Sequence, residues 1–405
     1  MSEAFAEAAR ATPAAFTRNR RLPLPRLLAF LVNAPRAGLQ AELDAFFDHA
    51  LDSDAVRPPT KSALCQARRQ LRPAALRELI SVSARSFARH CEVERWEGRR
   101  VLALDGTSLR VPDVPECVAH FGGMATSCGR FRPLARASTL FDVARGCFLD
   151  GVLGGYGEDE RTLARAHLTQ LGAGDLVVMD RGYPSRAWLG ELAARGVAWC
   201  VRMGQSWEAV KRFARGGLGD AVVDLGTPGA PLPARLLRAV LPNGSVFVLA
   251  TNLFDADLGP AAFADLYRGR WRVEEAFKLV KARLQVENWS GILPHTVEQD
   301  FYAALVRANC AAVLALAARP EDGTLGAPMP NQSGWRVRLN RTLVLKSLRH
   351  HLARLLLALD FEAVFARLLE RLRAPAALER TRPERAAPRK KKVRLAEFHM
   401  AYKAA

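Results

Sequence analysis

The spacing of apolar positions changes period twice along this chain. Up to about residue 97 they recur at helical intervals: Leu27, Leu28, Phe30 and Leu31, then Leu39, Leu43, Phe46 and Phe47. Thr60 or Ser62 is placed to cap a further helix carrying Arg68, Arg69 and Arg72 on or near one side. Near Arg99 the period shortens. Val101 to Leu104 is a continuous apolar run that ends in Asp105-Gly106. Leu176 to Met179 is a second, ending in Asp180 and followed by Arg181-Gly182-Tyr183-Pro184. Runs of this kind suit strands covered on both faces. Between them Phe131 to Val143 and Cys147 to Gly154 alternate like sheet strands around an Arg145-Gly146 turn, and Arg161 to Leu171 reads as helix.

Ala187 to Arg195 is helical in pattern, and Gly196 to Thr251 is β again, with Val197–Met203, Ala221–Leu225, Leu236–Leu241 and Val246–Leu249 as strands. From Pro260 the helical period returns and holds to Ala318. A Gly/Pro/Asn-rich loop follows from Arg319 to about Gly334, then helix from Leu343 to Leu372. The most apolar run, Phe301 to Ala318, contains Arg307 and Asn309, which suits a buried helix better than a membrane span. The expected order is a helical region over 1–97, an α/β core over 98–320 with a β-rich insertion at 197–251, and a helical region with a basic tail over 321–405.

Charge narrows the choice of partner. Lys and Arg number 59 against 41 Asp and Glu, a net +18 over 405 residues. Such an excess favours a polyanion, and for a chain without a membrane segment that means nucleic acid. Ten Lys/Arg against Glu379 and Glu384 fall between Arg371 and Leu395, the pattern of a basic arm. The seven cysteines are scattered without a C-x-x-C pair, which suits reduced thiols. The N-terminus has no secretory pattern, so the expected place of work is the cytoplasm, at the nucleoid. Neither a Walker loop nor a Rossmann glycine fingerprint is present, and the histidines form no hydrolase motif.

The richest chemistry lies in LYRGRWRVEEAFKLVKARLQVENWSG, Leu266 to Gly291. Tyr267, Arg270, Glu274 and Lys281 sit at offsets of three, seven and fourteen from the first, and at roughly 100° per residue they share one helix face. Leu266, Val273, Phe277, Val280 and Leu284 form the neighbouring apolar stripe. A phenol, a guanidinium, a carboxylate and an ammonium are thus presented where the helix meets the fold. Charge at helical spacing is most often a solvated face. This set is not the usual Glu/Lys ladder of such a face.

The spacing Y-x2-R-x3-E-x6-K, with Trp271, Val273 and the closing Trp289-Ser290-Gly291, resembles the C-terminal catalytic motif of bacterial DDE transposases of the insertion-sequence-four family. The segment from Thr60 to Arg68 resembles that family's N-terminal region. The resemblance implies a ribonuclease-H-like catalytic core with a β-rich insertion. It implies Asp105, Asp180 and Glu274 as catalytic acids and metal ligands, the acids being 75 and 94 residues apart. Either aspartate alone would be an ordinary turn residue. The resemblance also implies two Mg2+ ions, with Mn2+ as a substitute. Tyr267, Arg270, Lys281, Arg181 and Tyr183 would contact DNA, and an aromatic of the insertion (Trp199, Trp207 or Phe247) would stack on an extruded base. The partners so implied are terminal inverted repeats and target DNA, with a homodimer in the DNA complex and no membrane. The expected function is cut-and-paste transposition. A catalytically idle DNA-binding derivative and a general metal-dependent nuclease remain open beside it.

Overall fold

The structure is a computed structural model and describes residues 1–18, 20–33, 38–50, 57–126, 129–240, 246–319, 328–329, 332–374 and 377–381. Its contacts group the chain into two units, Met1–Ser83, Val111–Cys117 and Val280–Ala405 in one, Ala84–Arg110 and Val118–Leu279 in the other. The chain opens with helices α1 (Glu3–Ala9), α2 (Leu24–Asn33), α3 (Leu39–Ala50), α4 (Lys61–Arg69) and α5 (Pro73–His90). Thr60 caps α4 as its position suggests, its hydroxyl accepting from the Ala63 N–H at 3.2 Å.

The second unit is built on a nine-stranded mixed sheet: β1 (Arg100–Arg110), β2 (Gly123–Ala125), β3 (Phe131–Asp142), β4 (Cys147–Gly155), β5 (Asp175–Met179), β6 (Ala198–Arg202), β7 (Asp220–Asp224), β8 (Pro233–Val240) and β9 (Val246–Thr251). The order is β2-β3-β1-β5-β6-β9-β8-β7, with β4 on β3. β1, β5 and β6 run parallel at the centre, and the other pairs are antiparallel. The apolar runs occupy the central strands, as two-sided burial requires: Leu102, Ala103 and Leu104 and all of β5 are buried. Helices α6 (Pro115–Phe121), α7 (Glu160–Arg165), α8 (Arg186–Ala194), α9 (Glu208–Arg215), α10 (Pro260–Gly269) and α11 (Trp271–Lys278) complete the order up to Leu279.

Two expectations change here. The segment 197–251 is β-rich, but its strands extend the core sheet edgewise, β9 pairing with β6 through Cys200↔Thr251, Val201↔Ala250 and Arg202↔Leu249. The reason is apolar: Leu237, Ala239, Phe247 and Leu249 share one cluster with Leu176, Val178 and Cys200 of the central strands, roofed by Phe263, Leu266 and Tyr267 of α10. The helix beginning at Pro260 is also interrupted. α10 ends at Gly269, α11 begins at Trp271, and the turn between is tightened by Arg270 N–H to Tyr267 O (3.1 Å) and Val273 N–H to Arg270 O (3.0 Å).

Beyond a π-helical turn at Leu279–Arg283, the first unit resumes with α12 (Pro294–Ala317), the strands β10 (Pro328–Met329) and β11 (Gln332–Leu339), α13 (Arg341–Leu356), α14 (Phe361–Arg373) and β12 (Leu378–Thr381). α12 packs against α2 and α13, so it groups with the N-terminal helices, and the sequence-based boundaries at 97 and 320 do not follow the packing. Among the described residues α12 is the one helix long and apolar enough to cross a membrane. It is a core helix: Arg307 donates to Asn33 O (2.7 Å), and Asn309 to Ser83 Oγ (2.9 Å). Part of the expected loop at 319–334 is strand, β11 pairing antiparallel with both β10 and β12. Most of the basic arm lies outside the described residues.

Candidate active site

Register brings the first two acids together. β1 and β5 pair from Arg100↔Asp175 to Ala103↔Val178, and Asp105 and Asp180 each follow that last pair by two residues. Equal offsets in parallel strands put both side chains on the same face, just beyond the point where the two strands part. Asp105 does not end its strand, as the sequence suggests. β1 continues to Arg110 along β3, whose pairing covers Leu102 to Arg110. The sheet therefore opens on one side of β1 only, at the carboxyl ends of the parallel strands, where open α/β sheets bind ligands.

Glu274 comes from α11, which Val273 and Phe277 seat on the sheet. The Phe277 ring lies 6.4 Å from that of Phe148 on β4, and Arg272 donates to Val143 O at 2.8 Å. Arg270, 7% exposed, bridges the acids, one guanidinium nitrogen 3.2 Å from Asp105 Oδ2 and the other 2.8 Å from Glu274 Oε1. Burial pushes the Asp105 carboxyl up to about 6. Arg270 and the Gly106 N–H oppose that rise, and the charges of Asp180 and Glu274 add to it. Asp105 thus feels the charges of both other expected acids. Burial likewise pushes the Tyr267 phenol up to about 12, leaving it a hydrogen-bond donor.

The donor set suits a hard divalent cation, being carboxylate oxygens around an acid whose ionisation is disfavoured without one. Among the described residues, however, no group of three or more His, Cys, Asp or Glu side chains is gathered to hold a metal. The bridging guanidinium of Arg270 stands between Asp105 and Glu274 instead.

The expected DNA contacts separate. Arg181 is exposed. Tyr183 is 0% exposed and forms part of the wall behind the acids; the Asp105, Glu160 and Asp180 charges, after burial itself, hold its phenol well above the ordinary tyrosine value. A phenol so enclosed is unavailable to a duplex surface, which corrects that expectation. Tyr267 is 6% exposed and lies beneath the Arg270 guanidinium, 5.6 Å from ring centroid to carbon. A small recess lined by Arg202, Phe247, Tyr267, Arg270 and Trp271 adjoins it. Lys281 falls in the π turn, where i→i+5 winding replaces the regular helical step, and belongs to the other unit. Of the three aromatics considered for stacking, Trp199 is fully buried, Phe247 is 8% exposed, and Trp207 is half-buried with Arg186 over its ring at 4.8 Å.

Two features escaped the sequence. Asp150, His167 and Ser138 form a buried chain, Asp150 Oδ2 to His167 Nδ1 at 2.8 Å and His167 Nε2 to Ser138 Oγ at 3.0 Å. The order is that of a hydrolase triad, but Ser138 is 1% and His167 0% exposed, so no substrate reaches it and it braces β3 and β4. Glu160, at the start of α7, lies close to the acids; only folding joins it to them. Arg68, grouped with Arg69 and Arg72 as a basic face, proves internal. It is 2% exposed and donates to Gln299 Oε1 (2.9 Å), Ser290 Oγ (2.7 Å), Thr296 O (2.9 Å) and Asp300 Oδ1 (3.0 Å). Arg69 and Arg72 are exposed.

Residues 96–310 match the transposase DDE domain family. Transposase InsG of insertion sequence element IS4 from Escherichia coli (strain K12) is 29% identical over 269 residues, 61% of this chain and 59% of that protein, so the match spans under two thirds of the relative's length. The Sinorhizobium fredii protein y4zB is 27% identical over 284 residues, 64% of this chain and 73% of its own. Among solved structures, a piggyBac transposase synaptic complex with hairpin DNA aligns over 92% of this chain and 77% of its own at 11% identity and a TM-score of 0.41, a distant likeness only. With the family match covering more than half of the chain, and Asp105, Asp180 and Glu274 drawn together at the end of a parallel strand pair, this chain belongs to the transposase DDE domain family.

Proposed function

We propose that the protein is an insertion-sequence transposase that cuts DNA at the terminal inverted repeats of its element and joins the ends to target DNA. The observation that carries the reading is the pair of aspartates at equal register offset, with Asp105 bridged through Arg270 to Glu274 on α11. Two acids just beyond the paired stretch of neighbouring parallel strands and a third on a later helix are what a ribonuclease-H-like DDE core requires, which supports that finer assignment of the α/β fold. Asp105, Asp180 and Glu274 would hold two divalent cations, Mg2+ with Mn2+ as a substitute. Bound there, the cations would activate a water or 3′-hydroxyl and stabilise the leaving oxygen of an in-line phosphoryl displacement.

The protein's own groups bind and orient the strand. Arg270 neutralises Asp105 and Glu274 in the free protein, and its planar fork is suited to exchange those carboxylates for a DNA phosphate. Tyr267, protonated at any working pH, is a donor for the same phosphate. Arg181 and Lys281 are further groups suited to hold the DNA backbone. In the helical unit a cleft lined by Arg18, Arg20, Arg21, Thr60 and Arg69 supports a role for the N-terminal region in gripping the element's ends. Concerted joining of two ends calls for at least two copies, hence a homodimer on DNA.

The test uses the purified chain with an oligonucleotide carrying the element's end and a scrambled control. Nicking and joining should need Mg2+ or Mn2+ and the terminal repeat, and Glu274→Gln should abolish both while end binding persists. Cutting of the scrambled DNA at the same rate would make the protein a general nuclease. No metal-dependent cutting of either by the wild type would make it an idle DNA-binding derivative.

A further inference from the structure

Glu160 heads α7, far in sequence from the helix signature, yet its carboxylate enters the acid cluster. Its Oε2 lies 3.3 Å, and Asp180 Oδ1 3.2 Å, from the point a Cβ on Gly182 would occupy. A Cβ on Gly106 would stand 3.4 Å from the Tyr183 hydroxyl, 3.7 Å from the Glu160 carboxyl carbon and 3.3 Å from Ala137 O. Two glycines thus leave open a small space walled by two carboxylates and a phenol. Gly182 has no left-handed φ, so backbone conformation does not call for glycine there. The Tyr183 hydroxyl, in a side chain 0% exposed, makes no well-formed hydrogen bond, although Ser138 is near it. A buried donor left without an acceptor is destabilising, and that cost is removed once an oxygen ligand enters. Arg136 stands near the limit of ion pairing, its Nη1 3.8 Å from Glu160 Oε1, and the Glu160 side chain stays 38% exposed.

We propose that Glu160 is a fourth carboxylate of this centre, holding a divalent cation together with Asp180 in the space that Gly182 leaves open. The proposal rests on the reading of Asp105, Asp180 and Glu274 as the acidic site. Mg2+ commonly takes only one or two carboxylates from a protein and completes its shell with waters and substrate phosphate oxygens. A two-carboxylate seat therefore agrees with the lack of any three-ligand cage among the described residues. Tyr183, whose hydroxyl borders that space, is then placed to donate to a water of the cation's shell, which makes it a positioning group inside the site. Arg136 competes with the cation for Glu160, as Arg270 does for Asp105 and Glu274.

The experiment measures Mn2+ binding to the full chain without DNA, by the electron paramagnetic resonance of the free ion. The variants are Glu160→Gln, Gly182→Ala, Asp105→Asn, Asp180→Asn and Glu274→Gln. Glu191→Gln serves as control, an acid on α8 that pairs with Arg165 away from the cluster. Glu160→Gln removes one ligand and Gly182→Ala fills the seat, so each should weaken Mn2+ about tenfold or more, with Glu191→Gln unchanged. Urea midpoints on the same samples separate folding from binding. Weakened Mn2+ at an unchanged midpoint supports the proposal, and a lowered midpoint with wild-type Mn2+ binding overturns it, leaving Glu160 a partner of Arg136. If Glu160→Gln and Gly182→Ala bind like wild type while Asp180→Asn does not, the proposal fails and the three-acid reading stands. If Asp105→Asn, Asp180→Asn and Glu274→Gln all bind like wild type, the three-acid reading itself fails.

Discussion

Arg68→Ala separates the two roles open to the basic helix α4. The guanidinium is 2% exposed and donates to four acceptors, among them Asp300 at 3.0 Å, whose own side chain is 8% exposed. Truncation leaves Asp300 with the Ser290 N–H and hydroxyl as its remaining donors, at 2.6 and 2.8 Å, and removes the Arg68 donor from Thr296 O and Gln299 Oε1. Breaking a buried pair by removing one partner costs about 3–5 kcal/mol, because the other charge stays desolvated. The loss should appear in urea unfolding followed by tryptophan fluorescence, to which the buried Trp289 beside Ser290 contributes. Salt should barely change it, since so enclosed a pair is poorly screened. Below the transition the variant should bind end DNA with the wild-type salt slope. The double variant Arg68→Met/Asp300→Asn should recover much of the loss. A cost under about 1 kcal/mol, together with a DNA salt slope reduced by ~0.9, would refute the reasoning and return Arg68 to the DNA face.

Two further outcomes follow from the site. In metal-free buffer Asp105→Asn should stabilise the protein: burial raises that carboxyl from 3.8 to about 6, some two units at ~1.4 kcal/mol each, or about 3 kcal/mol at pH 8. A raised folded pKa means stability is full below 3.8 and is lost as pH rises through 6, so the variant's advantage should vanish near pH 3.8 and reach its full size by about pH 7; an advantage independent of pH would locate its cause elsewhere. Lys281→Ala should weaken end binding and lower the salt slope by about 0.9, read by anisotropy across a salt series, while leaving Mn2+ affinity at the wild-type value. Loss of Mn2+ affinity equal to that of Glu274→Gln would place Lys281 among the groups that organise the acids.

Much of the site was legible because its parts are local. A strand buried on both faces must be apolar throughout, so Val101–Leu104 and Leu176–Met179 announce themselves, and the acids that follow them mark where burial ends. A docking helix must carry an apolar stripe, which made Val273 and Phe277 readable and located Arg270 and Glu274 beside them. A cap at Thr60 or Ser62 is legible from a few consecutive residues, and the structure puts Thr60 in that place.

What tertiary structure decided is depth and company. Arg68 and Arg69 are neighbours of one type on one helix, yet the first is internal and the second exposed. The difference is Asp300 and Gln299, more than 230 residues away. Tyr183 sits one residue beyond Gly182, and nothing local says that its ring turns inward while Arg181 turns out. Segment 197–251 carries a β period, but whether it forms a body of its own or an edge of the sheet depends on which apolar faces meet, and they meet β5 and α10. Glu160 reaches the acids because β3 and β4 return the chain to β1 before α7 begins. Periodicity and capping involve neighbours within a few residues, so the sequence by itself determines them. Burial of a particular charge depends on partners brought in by the whole fold, and only the assembled sheet and helices supply those.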